Sequence, residues 1–327
     1  MSGDRIAELT PGNPFEGRYL VARKEVRQGG RAGVYLDLTL MDATGRAPAK
    51  VWENAAEIAE WFQQGDVVAV CGRAETYRGE LQLRLDSVRA VPAEEANPTD
   101  YLPRSKKDLA ALEQRLAEVV KSIGSAELRA LLTGFFRDPE FRQGFFSAPG
   151  AKAIHHAYVG GLAEHTLEVA EICLCVAEVF PALDRDLLVT AAILHDIGKM
   201  EELRWDTAFD YTDIGQLVGH IVLGEQRVRQ AMEAAEGFPE ELKLRLSHML
   251  LSHHGTREFG SPVEPRTAEA IALHHAEDLG AKVNLYLTNI NAAREQGRRW
   301  TERHFQLNRA LFVGNENEAE AENEAGG

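Results

Sequence analysis

The sequence predicts two folded parts in series, a small all-β barrel followed by an all-α helical bundle. Three observations predict this. Residues 13–92 break into five short runs that alternate or are rich in β-branched side chains. Near Ser105 the apolar period lengthens to that of a helix and keeps it to about Val313. A length of 327 residues suits two domains at roughly 100–200 residues each.

The elements follow in order. Residues 1–12 read as an N-terminal extension. The predicted strands are YLVARKEV, GVYLDLTLMDAT, APAKVWE, DVVAVCGRAETY and ELQLRLDSVRAV, punctuated by turn signals at Gly29-Gly30, Thr44-Gly45 and Arg78-Gly79. Between the third and fourth strands, NAAEIAEWFQQG has helical spacing and stops at Gly65. Three strands, a helix and two strands is the layout of an OB-fold barrel, over 13–92. Residues 93–104 form a polar, proline-containing linker. Ser105 then stands as a capping-type residue before a stripe of Leu109, Leu112, Leu116 and Val119. Residues 105–313 are expected to be helix after helix, with a core near 150–300. The acidic tail, 314–327, is low-complexity and expected to be disordered.

Composition removes several classes. Hydrophobic residues at 44% and charged residues at 27% exclude fibrous and wholly disordered chains. No apolar run reaches the ~18 residues of a membrane span, and the N-terminus lacks a signal-type apolar region. Cys71, Cys173 and Cys175 form no disulfide framework. These features predict a cytoplasmic chain with reduced thiols and no membrane partner; a homo-oligomer is compatible with them. The net charge of −15 has the wrong sign for a protein held to nucleic acid by its overall field. The excess is uneven: residues 1–92 carry 12 basic and 13 acidic residues, while the last 13 residues hold five glutamates. Carboxylates gathered around divalent cations would also account for acidity.

Histidine is the informative residue. Ten of the eleven lie between His155 and His275. His165 shares a helical face with Leu162, Val169, Ile172, Val176 and Val179. His195 follows Leu188, Ala191 and Ala192; His220 follows Leu217; His253 follows Leu246, Met249 and Leu250, with His254 beside it. A single inward histidine is usually a satisfied core residue. Four on successive predicted helices would cost roughly 1–3 kcal/mol apiece without partners, and a shared metal offsets that cost. His195-Asp196 at a helix end places an imidazole and a carboxylate where both reach one cation, and a carboxylate can bridge two. Such donors suit Mn, Fe, Zn or Ni over an all-oxygen Mg or Ca cage.

The ordered set resembles the HD-domain metallophosphohydrolases. More narrowly, HHAYVGGLAEHT, LHDIGK, YTDIGQLVGHIVLG, LLSHHGTREFGSP and LHHAEDLGAKVN, behind an OB-like segment, resemble the YhaM-type 3′-to-5′ exoribonucleases over about residues 14–312. The resemblance implies that His165, His195 and Asp196 hold a first metal, with Asp196 as bridge. It places His220 and His253 at a second metal, with His254 adjacent. Lys199 matches a lysine that meets a substrate phosphate; an ordinary cation at a helix C-terminus is the alternative. His155-His156 match a histidine pair, and His156 is the expected substrate contact. The family ends in an A-D-x-L-D-A pattern, where this chain has Ala276-Glu277-Asp278-Leu279-Gly280-Ala281. Glu277 is then the last metal ligand, with Asp278 as substitute, and the family's second Asp is Gly280. One of His274-His275 suits support of a ligand. His248 and His304 read as ordinary residues.

The resulting expectation is a metal-dependent 3′-to-5′ exonuclease that hydrolyses single-stranded nucleic acid, RNA favoured, to nucleoside 5′-monophosphates. Asp196, His195 and Lys199 would be its catalytic residues. Two divalent ions are expected, manganese first, with Mg, Fe, Co or Zn admissible. Tyr35, Trp52 and Tyr77, interleaved with Arg31, Lys50, Arg73, Arg78 and Arg84, mark the strand-binding face of the barrel; each aromatic read alone is more often core. Two alternatives stand beside this. One is an HD phosphodiesterase acting on small or cyclic nucleotides, although HHGTREFGSPVEP lacks the GYP tripeptide of that group. The other is a strand-binding protein with a degenerate HD site, which the Glu277 and Gly280 departures would favour.

Overall fold

The computed structural model describes residues 3–29, 33–77, 80–152, 156–304 and 307–314. Gly30, Arg31, Arg78, Gly79, His155 and the tail from Asn315 lie outside the described residues, and with them two of the expected turns, two of the expected basic side chains and the acidic tail.

Five strands close the barrel: β1 (Pro14–Gly29), β2 (Gly33–Asp42), β3 (Gly45–Val51), β4 (Val67–Tyr77) and β5 (Glu80–Ala90), in the order β1-β2-β3-β5-β4. β1 is long enough to serve both neighbours. Its first half pairs with β4 and its second half with β2, and an irregularity between Val21 and Arg23 makes the bend. β3 and β5 run parallel, which completes the closure. Alternation puts Tyr19, Val21, Leu36, Leu38, Leu40, Leu83 and Leu85 into one buried cluster. At Thr44-Gly45 the Asp42 carboxylate accepts from both backbone N–H groups, at 2.8 and 3.1 Å, and so fixes the turn.

The helix expected over residues 54–65 is much shorter, α1 (Ala55–Ile58). Asn54 enters at φ 51° with no side-chain cap, and the chain beyond Ala59 is needed to lay Phe62 into the barrel core. The expected linker is only partly a linker. Tyr101 and Leu102 are buried with Leu20, Met41 and Val67.

The helical part begins with α2 (Leu109–Lys121), α3 (Ala126–Arg137) and α4 (Pro139–Ser147). Asp108, not Ser105, caps α2, because its carboxylate accepts from Ala110 N at 2.9 Å; the Ser105 hydroxyl is engaged by Glu164 at 2.6 Å instead. There follow α5 (Gly161–Val179), α6 (Arg185–Leu194), α7 (Lys199–Glu202), a two-strand hairpin of β6 (Leu203–Arg204) and β7 (Asp210–Tyr211), α8 (Asp213–Leu217), α9 (His220–Ala234), α10 (Glu240–Ser252) and α11 (Ala268–Glu295). Helix therefore does not run to Val313. After Glu295 the chain is irregular, tied by bridges Trp300–Phe312 and His304–Arg309. The inward faces also differ at two points. Val179 is exposed at the end of α5, and Leu217 is 86% exposed. Gly219, at φ 81°, breaks the chain before His220, so Leu217 and His220 sit on different helices and share no face.

By internal contacts the chain forms two compact units, residues 1–165 with 196–231, and residues 166–195 with 232–327. The first contains the barrel and α2–α4. In the second, α6 is buried along its length from Leu187 to Leu194 and packs with α10 and α11.

Candidate metal centre

Asp196 anchors the centre. It follows α6 directly and is 1% exposed. Its two oxygens face different imidazoles: Oδ2 lies 3.4 Å from His165 Nε2, and Oδ1 lies 3.5 Å from His220 Nε2. Two ligand atoms each about 2.1 Å from a shared ion sit roughly 3.0–3.4 Å apart, so these separations match donors that share cations. The Lys199 ammonium is 2.6 Å from Oδ2. Lys199 opens the four-residue α7 and is mostly buried against Asp196.

The local chain forces this convergence. His165 stands in the first turns of α5, His220 is the first residue of α9, and Asp196 lies in the turn between α6 and α7. Gly198 sits so close to the start of α9 that a Cβ would meet the His220 carbonyl oxygen at 2.0 Å. Any larger residue there would force the turn after Asp196 and the start of α9 to shift against each other.

The imidazoles are oriented from behind. His195 and His253 occupy the same local position, each the residue that closes its helix, α6 and α10. Each ring donates from Nδ1 to the carbonyl three residues back, Ala192 and Leu250, both at 2.7 Å. His254 Nδ1 donates to the Phe259 carbonyl at 2.7 Å. A carbonyl oxygen only accepts, so Nδ1 carries the proton and Nε2 presents its lone pair. His220 is held in the same tautomer by Glu202, which accepts from Nδ1 at 2.8 Å and from the backbone N–H at 3.0 Å. Burial pushes the Glu202 carboxyl up, but hydrogen bonds and charge from His220, with the Lys199 charge, outweigh it and hold the group below its usual range. A carboxylate behind a histidine is the arrangement that raises ligand basicity in metal sites.

Six side chains thus form two donor groups: His165, His195 and Asp196, all buried, and His220, His253 and His254, with ligand atoms within 4.8 Å inside each group. Two imidazoles with a carboxylate, and three imidazoles, fit a divalent metal, and the fixed Nδ1 protons of His195, His220, His253 and His254 leave Nε2 atoms of the correct form to ligate. Glu277 and Asp278 are outside both groups. Asp278 pairs with Lys282 at 2.7 Å, and Glu277 is half-buried on α11. Gly280 faces apolar side chains of α5, where a Cβ would meet Ile172 at 3.6 Å and Val169 at 3.9 Å. The His274-His275 pair is divided: His274 Nδ1 donates to the His253 carbonyl at 2.9 Å, and His275 is exposed.

His156 is buried at φ 55°, its Nδ1 2.9 Å from the Tyr158 hydroxyl and its ring centroid 5.4 Å from that of His165. On the barrel, Tyr35 and Trp52 stack at 4.8 Å, with Lys50 Nζ 5.5 Å from the Tyr35 centroid. Trp52 and Tyr77 are 43% and 54% exposed, so neither serves as core. Sequence reasoning missed Glu202. Its signal was the acidic pair after HDIGK, within two turns of Asp196.

The description "HD domain" matches residues 162–282, and "OB-fold nucleic acid binding domain" matches residues 20–91. The chain is 32% identical over 281 residues to the 3′-5′ exoribonuclease YhaM of a Geobacillus species, covering 85% of each chain. It is 31% identical over 317 residues to the YhaM of Oceanobacillus iheyensis, covering 96% of this chain and 98% of the other. The Bacillus subtilis YhaM is 32% identical over 279 residues, 85% of this chain and 87% of that one. The chain belongs to the YhaM family of 3′-5′ exoribonucleases. Within that family frame, both donor groups fall inside the HD match and the Tyr35–Trp52 stack falls inside the OB match. Among the described residues, no helix is long and apolar enough to cross a membrane.

Proposed function

We propose that this chain is a metal-dependent exonuclease that removes nucleoside 5′-monophosphates from the 3′ end of single-stranded nucleic acid, with RNA as its preferred substrate and the cytoplasm as its compartment. The observation that carries the reading is Asp196, a buried carboxylate with one oxygen beside an imidazole of each donor group.

His165, His195 and Asp196 would hold one divalent ion, and His220, His253 and His254 a second, with Asp196 common to both. Manganese is the proposed metal, with Fe, Co or Zn admissible; the imidazoles by themselves suit Fe and Zn, and the Asp196 carboxylate is the donor that suits Mn. Glu277 is the proposed further ligand from α11: it stands three residues beyond His274, on the same helix face, and His274 is bonded to the His253 carbonyl. When bound, such ions would supply a water of lowered pKa and positive charge for the phosphoryl oxygens. The residues do the rest. Asp196 holds its carboxylate fixed through Lys199, and the Lys199 ammonium stands where a phosphate oxygen adds a second anionic partner. Glu202 and the Ala192 and Leu250 carbonyls keep the rings from turning. Burial excludes bulk water, which strengthens every charge interaction at the phosphate. His156, held at a left-handed φ that costs about 1–3 kcal/mol, is proposed to contact substrate. The Tyr35–Trp52 stack and Tyr77 would bind bases upstream.

The test is a 5′-labelled single-stranded RNA incubated with the protein and Mn²⁺. The expected product is a ladder shortening from the 3′ end, with 5′-monophosphates released, while a cyclic dinucleotide stays intact. An uncut strand beside a cleaved cyclic dinucleotide would overturn the reading.

A further inference from the structure

Helices α2, α3 and α4 lie between the two segments matched by the family descriptions. They line a half-open cavity of about 380 Å³, a size that suits a small organic ligand. Its floor is apolar and partly aromatic, formed by Leu116 and Val120 of α2, Phe136 of α3 and Phe146 of α4. Phe136 and Phe146 are half-buried, and both rings are held edge-on against Phe145, at 5.2 and 5.3 Å between centroids.

The rim is cationic in a chain whose net charge is −15. Lys121, Arg129, Arg137 and Arg142 line it against a single carboxylate, Glu113. Arg142 is paired with Glu113, and Arg129 donates to the Ile123 carbonyl at 2.7 Å. The side chains of Lys121 and Arg137 make no ion pair among the described residues.

We infer that this cavity binds a free nucleoside monophosphate, its base against Phe136 and Phe146 and its phosphate between Arg137 and Lys121. Two aromatic side chains in the lining favour a planar ring as partner. A dianionic phosphate satisfies two cations and matches the fork of a guanidinium, whereas a fatty carboxylate would use the floor and leave one cation without a partner. The site is separate from the metal centre. The other face of α4 packs beside it: Arg227 lies 4.9 Å from the Phe141 ring centroid, and a Cβ at Gly144 would meet Cε of Met200, the neighbour of Lys199. The choice of a nucleotide as ligand rests in part on the proposed exonuclease reading.

Titration of 5′-AMP into the full-length protein in EDTA, followed by calorimetry, tests the inference without turnover. The expected result is saturable AMP binding that weakens at least tenfold in Arg137→Glu and in Lys121→Glu, both exposed positions. Affinity should stay within twofold in Asp196→Ala, and adenosine should bind at least tenfold more weakly than AMP. Equal AMP affinity in wild type and Arg137→Glu, loss of AMP binding in Asp196→Ala, or uptake of dodecanoate without AMP would each overturn it. So would an RNA oligonucleotide that senses Arg137→Glu while AMP does not bind, since the cavity would then be a strand contact. None of these outcomes alters the 3′-shortening assay, so the two readings fail separately.

Discussion

The barrel face and the metal centre expose polar chemistry in opposite ways. On the barrel, Tyr35 and Trp52 stack near the surface with Lys50 above, and Lys50 itself is paired with Asp37 at 2.5 Å. In the helical part, His165, His195, Asp196 and His253 are at most 2% exposed, and the rings of His195, His220 and His253 are fixed by a carbonyl or carboxylate on the far nitrogen. Rings near the surface, free to adapt, would suit a face that takes any base. A centre that must place a phosphorus atom gains from side chains that cannot move. One chain carries both because its β segment and its helix ends solve different problems.

The sharpest way to break this contrast is Asp196→Ala. Hydrolysis should fall by about a thousandfold or more, with the helical circular dichroism unchanged, because one carboxylate has an oxygen beside an imidazole of each donor group. Retained turnover in a metal-replete preparation would overturn the bridging role proposed for Asp196. Next comes Glu202→Gln, which keeps the shape and removes the charge behind His220. Metal affinity should drop about 10–100-fold, read by competition with a chelator, and added Mn²⁺ should restore much of the activity. On the barrel side, Trp52→Ala should weaken binding of a long strand by about 1–3 kcal/mol per stacked base, read as KM, with kcat on a dinucleotide unchanged. An equal loss on both substrates would mean that the barrel does more than hold the strand.

Two smaller effects probe the second unit, where stability and not chemistry is at stake. Glu269 accepts from the Asp184 backbone N–H and pairs with Arg245. Burial pushes its carboxyl up, but those bonds and the Arg245 charge hold it below its usual range. A depressed folded-state value means stability that is present above the unfolded-state value and is lost as pH falls through the folded one. Glu269→Gln should therefore cost about 1–3 kcal/mol in urea unfolding at pH 7, and the gap from wild type should close below about pH 4. Last, burial pushes the Cys173 thiol up to about 12, while Cys175 is exposed two residues away. A thiol reagent at pH 8 should modify Cys175 and spare Cys173 in the folded protein.

Much of this was written in local patterns. Strand alternation gave the barrel because side chains in a strand alternate with period two, a rule that needs no distant partner. Clustering of histidine, and the His195-Asp196 pair, marked the centre because burying so many imidazoles demands a shared partner. The sequence could not show that Asp108 rather than Ser105 caps α2, since Ser105 is claimed by Glu164, 59 residues away. Nor could it show that Glu202 would orient His220, or that Leu217 would be exposed when the chain breaks at Gly219. The aromatic cavity of α2–α4 joins residues from three helices that periodicity treats as three separate stripes. Sequence by itself determined the five strands of the barrel, the succession of helices after Ser105 and the pool of histidine and carboxylate donors, because periodicity and donor chemistry are local. Tertiary structure decided which oxygen of Asp196 faces which imidazole, and which nitrogen of each ring stays available, because those depend on backbone groups brought together from far along the chain.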